Sequence, residues 1–375
     1  MYQDYISDPS TSLSVYPDWP ESEADLLPLP NCKGPRLQPF MFHGPQNIKF
    51  LECIGHGTHS HVFKVRIKRK VYALKLFRFV EGTFDAQLED PNIISVFAGF
   101  GEPFYQECRA YARLQETGHE DLATKCFGYL LLSEENERSI RNQFSHLGLE
   151  WLGDPEYGVY EDLRSLFPGK SGRKPPIRGI LKEFGQRDVL TTRLAKKILQ
   201  DVIKFQQLGI FQLDVAERQI INGKLSDFSI AITTPHFITN PELNPNLNPD
   251  QLSWMEFEVF KLSSLDYWRF DDMIYYWNQE NNDKIAVFAF PGGGSCVTKY
   301  NLRRRSLKRF YTFVDPRKPE GISKKRKLTR WYHVCTEQEV KEILDLWDDL
   351  GNHAPRYWEM GRDGYISPVR REFPF

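Results

Sequence analysis

The stretch QLDVAERQIINGKLSDFS, residues 212–229, places two aspartates, Asp214 and Asp227, on either side of an Asn-Gly pair flanked by apolar residues. Asn222-Gly223 is a favoured centre for a two-residue hairpin, because both residues take positive φ at little steric cost. Ahead of it, Leu194, Ile198, Leu199, Val202, Ile203 and Phe205 recur at helical spacing, predicting an amphipathic helix over 194–208. Two carboxylates flanking a short hairpin after such a helix can converge on one point. One can accept or orient a hydroxyl, and the other can hold Mg²⁺ against phosphates. Two ordinary turn aspartates are the plainer alternative.

Working toward the N-terminus, three strands are predicted. They are Ile48–Ile54, Val62–Ile67 and Lys70–Phe77, the start of an antiparallel sheet. Between the first two lies Gly55-His56-Gly57-Thr58-His59-Ser60-His61-Val62, a G-x-G-x-x-S-x-V turn. Backbone amides of such a turn can approach phosphates where no side chain blocks them. His56, His59 and His61 invite a metal reading, but without acidic or cysteine companions they read as exposed loop histidines. Lys75 ends Ala73-Leu74-Lys75 on the third strand, and Glu107 falls on a helix predicted over 104–116. A strand lysine paired with a helix carboxylate can brace nucleotide phosphates. Further strands are predicted over 126–132 and 177–184.

Between these elements, 80–103 reads as a loop-like insertion and 133–176 as a second, polar and Gly/Pro-rich one. A Pro/Asn-rich stretch, 235–249, precedes a helix over 254–277. Strands over 285–290 and 309–314 flank a Pro-Gly-Gly-Gly turn, and a last helix covers 337–350. Prolines and acidic residues make 1–46 a flexible leader. The fold class expected is α+β. A domain over 47–277 has an antiparallel upper lobe, about 47–185, and a mainly helical lower lobe, about 186–277. A divergent C-terminal α+β extension fills 278–375.

The 375 residues carry a formal net charge of −1, which excludes a global electrostatic argument for nucleic acid or membrane. Six scattered cysteines without a C-x-x-C pair argue against a zinc module and suit a reducing compartment. Met1–Pro20 has no apolar core of a secretory signal, and no run approaches the ~20 residues of a membrane span. A soluble intracellular protein is expected. Locally, Arg303, Arg304, Arg305 and Lys324, Lys325, Arg326, Lys327 form dense basic runs that fit nuclear import or a nucleic-acid contact. A solvated loop is the alternative.

Taken in order, these residues resemble the protein-kinase superfamily. Gly55, Gly57 and Val62 match its glycine loop, and Lys75 and Glu107 its lysine–glutamate pair. Lys182-Glu183-Phe184-Gly185 matches the hinge, so Ala73, Glu183 and Phe184 are expected beside adenine. Gln212-Leu213-Asp214 stands for His-Arg-Asp and Asp227-Phe228-Ser229 for Asp-Phe-Gly, while Asp266-Tyr267-Trp268 resembles the anchor of the lower lobe. The resemblance implies ATP and Mg²⁺ as ligands, with Asp214, Lys75 and Glu107 catalytic and Asp227 and Gln219 on the metal. More narrowly, Gly34–Phe40, Ala73–Phe79, Pro175–Ile180, Lys224–Ser229, Pro235–Thr239 and Phe313–Arg317 are similar to a fungal kinase-like family. That family is named for a subunit, of Fta-two type, of the kinetochore Sim-four complex, and the likeness spans roughly 30 to 320. It implies a nuclear, kinetochore setting with protein partners; the cytoplasm is the alternative.

Departures bear on mechanism. Gln219 stands where Asn binds Mg²⁺, and Ala216 where a lysine supports the γ-phosphate, with Arg218 nearby. Losing a metal ligand and a cation removes transition-state charge stabilisation. Two readings stay open: a degenerate, nucleotide-binding or scaffold protein, and an active phosphotransferase acting on protein Ser/Thr or a small hydroxyl substrate. A third is a binding module whose basic C-terminal region is the working surface.

Overall fold

Alternating apolar residues from Ile48 onward build the central sheet of the computed structural model. It describes residues 33–40, 47–79, 99–149, 151, 175–236, 238–243, 248–289, 300–301, 333–334, 357–360 and 365–369. The chain forms two compact units. The first comprises Met1–Gln186 and Ser226–His236, the second Arg187–Leu225 and Phe237–Phe375.

In the first unit, β1 (Ile48–His56), β2 (Ser60–Ile67), β3 (Lys70–Phe77), β4 (Cys126–Leu131) and β5 (Arg178–Glu183) make one antiparallel sheet. Its order is β1-β2-β3-β5-β4. Phe50, Phe63, Val65 and Leu74 are buried along it, as a period of two requires of a covered face. Helix α1 (Pro103–Glu116) begins with proline in its first turn, where no N–H is needed, and buries most of its residues.

A second helix, α2 (Glu134–Gln143), occupies ground that the sequence presented as a polar insertion. Ser133 Oγ accepts from Asn136 N at 3.1 Å, and Glu134, Glu135 and Glu137 fill the first turn, favourably placed for the helix dipole. So few of its residues are buried, Asn136 and Ile140, that no apolar stripe announced it. Its C-terminal neighbour Phe144 packs on Phe63 at 5.3 Å between ring centroids, over the sheet.

Residues 33–40 correct the reading of 1–46 as a leader throughout. Leu37 and Phe40 are buried, Phe40 N donates to Tyr129 O at 2.8 Å, and Tyr129 N donates to Gln38 O at 3.2 Å. The segment thus bridges in parallel to β4. Gly128, at φ 118, permits this approach: a Cβ there would stand 2.6 Å from Gln38 O. Residues 1–32 and 41–46 lie outside the described residues.

In the second unit, α3 (Thr192–Gln207) starts where Thr191 Oγ1 accepts from Leu194 N at 3.2 Å. The predicted hairpin follows as β6 (Ile220–Ile221) and β7 (Lys224–Leu225), with Asn222 at φ 50 and Gly223 at φ 71. Helix α4 runs Pro249–Glu280 and packs against α3. Asn278 Oδ1 accepts from Ile285 N at 2.7 Å and turns the chain into β8 (Val287–Phe288). Beyond it, β9 (Tyr300–Asn301) and β11 (Tyr357–Met360) flank β12 (Tyr365–Val369), and β10 (His333–Val334) pairs with β8. The strand expected at 309–314, the helix at 337–350 and the basic runs at 303–305 and 324–327 lie outside the described residues. Among the described residues no helix is long and apolar enough to cross a membrane.

Candidate functional site

The core of the site is a charge network in the first unit, buried at Lys75, Glu107 and Lys182 and half-buried at Asp227. Lys75, from β3, donates to Glu107 Oε2 of α1 at 2.6 Å and to Asp227 Oδ1 at 2.7 Å. Lys182, from β5, donates to the other glutamate oxygen, Oε1, at 2.6 Å and to Ser226 O at 2.7 Å. Adjacent strands explain the convergence, since Ala73 is the register partner of Lys182 and lies two residues from Lys75 on the same face. Ser229 N also donates to Asp227 Oδ1, at 2.9 Å, and Tyr111 Oη to Ser226 O at 3.1 Å.

Electrostatics follow from this geometry. Burial alone would lower the pKa of Lys75, but the Asp227 and Glu107 carboxylates outweigh it and hold the ammonium above its ordinary value. Burial would likewise raise Asp227, yet Lys75 and Lys182 hold its carboxyl far below the usual range. Lys75 and Asp227 are therefore held in their charged forms, each by the other.

The segment after Asp227 is tied to the same helix. Arg109 Nη2 donates to Thr233 O at 3.4 Å and to Pro235 O at 2.5 Å, and Arg113 Nη2 to Thr234 O at 2.6 Å. Arg109 Nη1 also reaches Lys33 O at 3.0 Å. His236 is buried against Phe100, whose carbonyl lies 3.0 Å from Nε2. Burial above all brings its pKa down to about 4, Arg109 adding to the effect against the hydrogen bond. Sequence reading placed Lys182 only at the expected hinge and gave Arg109 and Arg113 no role. The local signal was slight: a lysine directly after the apolar pair Ile180-Leu181, and two arginines four apart on a helix.

The glycine turn closes through Gly57 N donating to Ser60 O at 2.9 Å. A Cβ on Gly55 or Gly57 would meet only ordinary contacts, Val62 at 3.5 Å and Ser60 O at 3.7 Å. Packing therefore does not demand these glycines. His61 is buried, edge-on to Trp151 at 4.9 Å and with Nδ1 3.2 Å from His56 Nδ1, so it is not an exposed loop histidine. His59 is half-buried, and burial first, then the Lys75 charge, lowers its pKa. At the expected hinge, Glu183 is exposed with its N–H on Lys125 O at 2.8 Å, and Phe184 lies under Lys64 at 4.6 Å. Among the described residues no three His, Cys, Asp or Glu side chains gather as a metal site.

In the second unit, Asp214 is held by its own turn. Arg218 Nη2 donates to Oδ2 at 2.6 Å, and Gln219 Nε2 donates to the same oxygen. Gln219 Oε1 accepts from Gln212 Nε2 at 3.4 Å, so both ends of the amide expected on Mg²⁺ have protein partners. The backbone ahead of Asp214 is fixed by Asp266 of α4. Its Oδ1 accepts from Leu213 N at 2.6 Å, and its Oδ2 from Gln212 N at 3.2 Å and Gln206 Nε2 at 3.0 Å. Burial outweighs these bonds and raises the Asp266 carboxyl to about 6. This support lets Leu213 hold φ 63, a left-handed value unusual for leucine.

The docked Gly34–Phe40 segment, β3 and the hairpin up to Asp227 all fall within a match to the family described as Kinetochore Sim4 complex subunit FTA2, over residues 26–232. The chain belongs to this family. The match ends short of Pro235–Thr239 and Phe313–Arg317, which the sequence phrases had included. No curated protein matches the chain.

Proposed function

We propose that this chain is a component of the kinetochore Sim4 complex, acting in the nucleus through protein partners, with a degenerate kinase-like domain that serves as a scaffold. The family membership supports the kinetochore setting. The scaffold reading rests on the closed network Lys75–Glu107–Lys182–Asp227, in which each basic side chain already meets an acidic one of the protein. Asp227 Oδ1 accepts from Lys75 and from the Ser229 amide. A hard cation needs several oxygen ligands. Gln219 donates its amide to Asp214 and offers a poor substitute.

The second reading, an active phosphotransferase, is favoured by the retained Lys75–Glu107 pair at 2.6 Å and by glycines that packing does not require. Under it, Lys75 braces phosphates, Glu107 positions Lys75 and Asp214 orients the hydroxyl. ATP and Mg²⁺ are the ligands to test. Thermal denaturation of the full chain with ATP, with and without Mg²⁺, separates the readings, since a ligand that binds only the folded state raises its stability. The scaffold reading predicts no Mg²⁺-dependent rise in Tm. A rise that needs Mg²⁺ and disappears in Asp227→Ala would favour the phosphotransferase.

A further inference from the structure

We propose that residues 33–40 form a strap whose docking is coupled, through Arg109, to the placement of the segment that carries Asp227. The coupling holds whether or not the site transfers phosphate. Arg109 lies buried in α1, two residues after Glu107, and its guanidinium serves both segments at once. Nη1 donates to Lys33 O at 3.0 Å, while Nη2 donates to Thr233 O at 3.4 Å and to Pro235 O at 2.5 Å. One turn further along α1, Arg113 Nη2 donates to Thr234 O at 2.6 Å, so two arginines take three consecutive carbonyls. The Phe100 ring centroid lies 4.7 Å from the Arg109 guanidinium carbon, and His236 meets the same ring edge-on at 5.1 Å.

The strap is fitted to this arginine. At Gly34 a Cβ would stand 2.4 Å from Nη2 and 2.7 Å from Cζ, and the φ of 133 suits glycine alone. At the other end, Leu37 and Phe40 are buried, and Gln38 and Phe40 exchange backbone hydrogen bonds with Tyr129 of β4. Residues 33–40 therefore run from Arg109 to the sheet. The Asp227 segment is held by the same helix at both ends: Tyr111 Oη donates to Ser226 O at 3.1 Å, and Arg109 and Arg113 hold 233–235.

A guanidinium is a planar fork with donors in fixed directions, so the carbonyls it holds are positioned relative to one another. Lifting Lys33 and Gly34 away takes an acceptor from Nη1 and uncovers the group. A buried charge that loses a hydrogen-bond partner is driven toward water, and turning that way means releasing Thr233 and Pro235. Conversely, a shift of 233–235 draws the guanidinium out of the place against which Gly34 packs. Linkage makes the two effects equal in free energy. A partner that takes up 33–40 thus loosens the Asp227 segment without touching it.

The test is amide hydrogen exchange of the full chain, read by mass spectrometry over 33–40, 229–236 and the reference strands β2 and β3. Gly128→Ala acts on the strap from its β4 end, where a Cβ would stand 2.6 Å from Gln38 O. Exchange is expected to rise roughly tenfold or more in both 33–40 and 229–236, with β2 and β3 unchanged. Arg113→Lys acts from the other side, on Thr234, and is expected to speed exchange in 33–40 as well as in 229–236. A rise confined to 33–40 in Gly128→Ala would overturn the proposal. So would an Arg113→Lys variant that exchanges faster in 229–236 and keeps the wild-type rate in 33–40. Should Gly128→Ala also lose protection in β2 and β3, the variant has unfolded the unit and Arg113→Lys decides alone.

Discussion

Lys182 holds Glu107 by the oxygen opposite the one that holds Lys75, each at 2.6 Å, so a single helix carboxylate ties β3 and β5 together. Both partners are buried, and removing one leaves an uncompensated charge in a low-dielectric site. Breaking such a pair costs about 3–5 kcal/mol. Glu107→Ala is therefore expected to lower the unfolding free energy by about that amount in urea titration. Lys182→Met should cost less, because Glu107 keeps Lys75. Wild-type stability in Glu107→Ala would mean that the network has no structural role.

Gly128 permits the docking of residues 33–40. At φ 118, with Gln38 O 2.6 Å from the position of a Cβ, alanine is both strained and obstructed. Gly128→Ala is expected to cost about 1–3 kcal/mol and to release the segment. Limited proteolysis should then cut near Gln38 faster than in the wild type, with the rest of the unit intact.

His236 gives the first unit an acid-labile contribution. Its folded pKa, about 4, lies below the ordinary 6.5, so the unfolded chain binds the extra proton first. The stability it contributes is fully present above about pH 6.5 and lost as pH falls toward 4. His236→Gln, which can still donate to Phe100 O, should flatten the slope of unfolding free energy against pH across this window. An unaltered slope would contradict the assignment.

Asp266 has the opposite sign. Its folded pKa of about 6 exceeds the ordinary carboxyl value, so the stability it contributes is greatest below about pH 4 and lost as pH rises through 6. Its two oxygens accept three N–H donors, and an asparagine would turn an NH₂ toward at least one of them. Asp266→Asn is expected to cost about 1–3 kcal/mol, read by thermal denaturation at pH 7.

Much of the first unit's sheet was legible because Val62–Ile67 and Lys70–Phe77 alternate, and alternation is a property of the strand itself. The Asn222-Gly223 hairpin was legible because turn chemistry is local. Lys75, Glu107 and Asp227 could be named in advance from their order along the chain, and the structure brings those three together. The roles of Lys182, Arg109 and Arg113 were hidden because their partners lie dozens of residues away, and nothing local to a lysine or arginine reveals a buried carbonyl or carboxylate. Helix α2 was hidden for another reason: a helix with so little buried surface has no stripe to read. The Gly34–Phe40 phrase was visible as a pattern, but its purpose emerged only with Tyr129 and Arg109 beside it.

The central claim is that the Lys75–Glu107–Lys182–Asp227 network holds the domain together and does not drive phosphoryl transfer. ATP turnover by the purified full chain with Mg²⁺ or Mn²⁺, beside Asp227→Ala, tests it most directly. The same background rate is expected in both proteins. Turnover that is present in the wild type and lost in Asp227→Ala would contradict the claim and establish a working phosphotransferase.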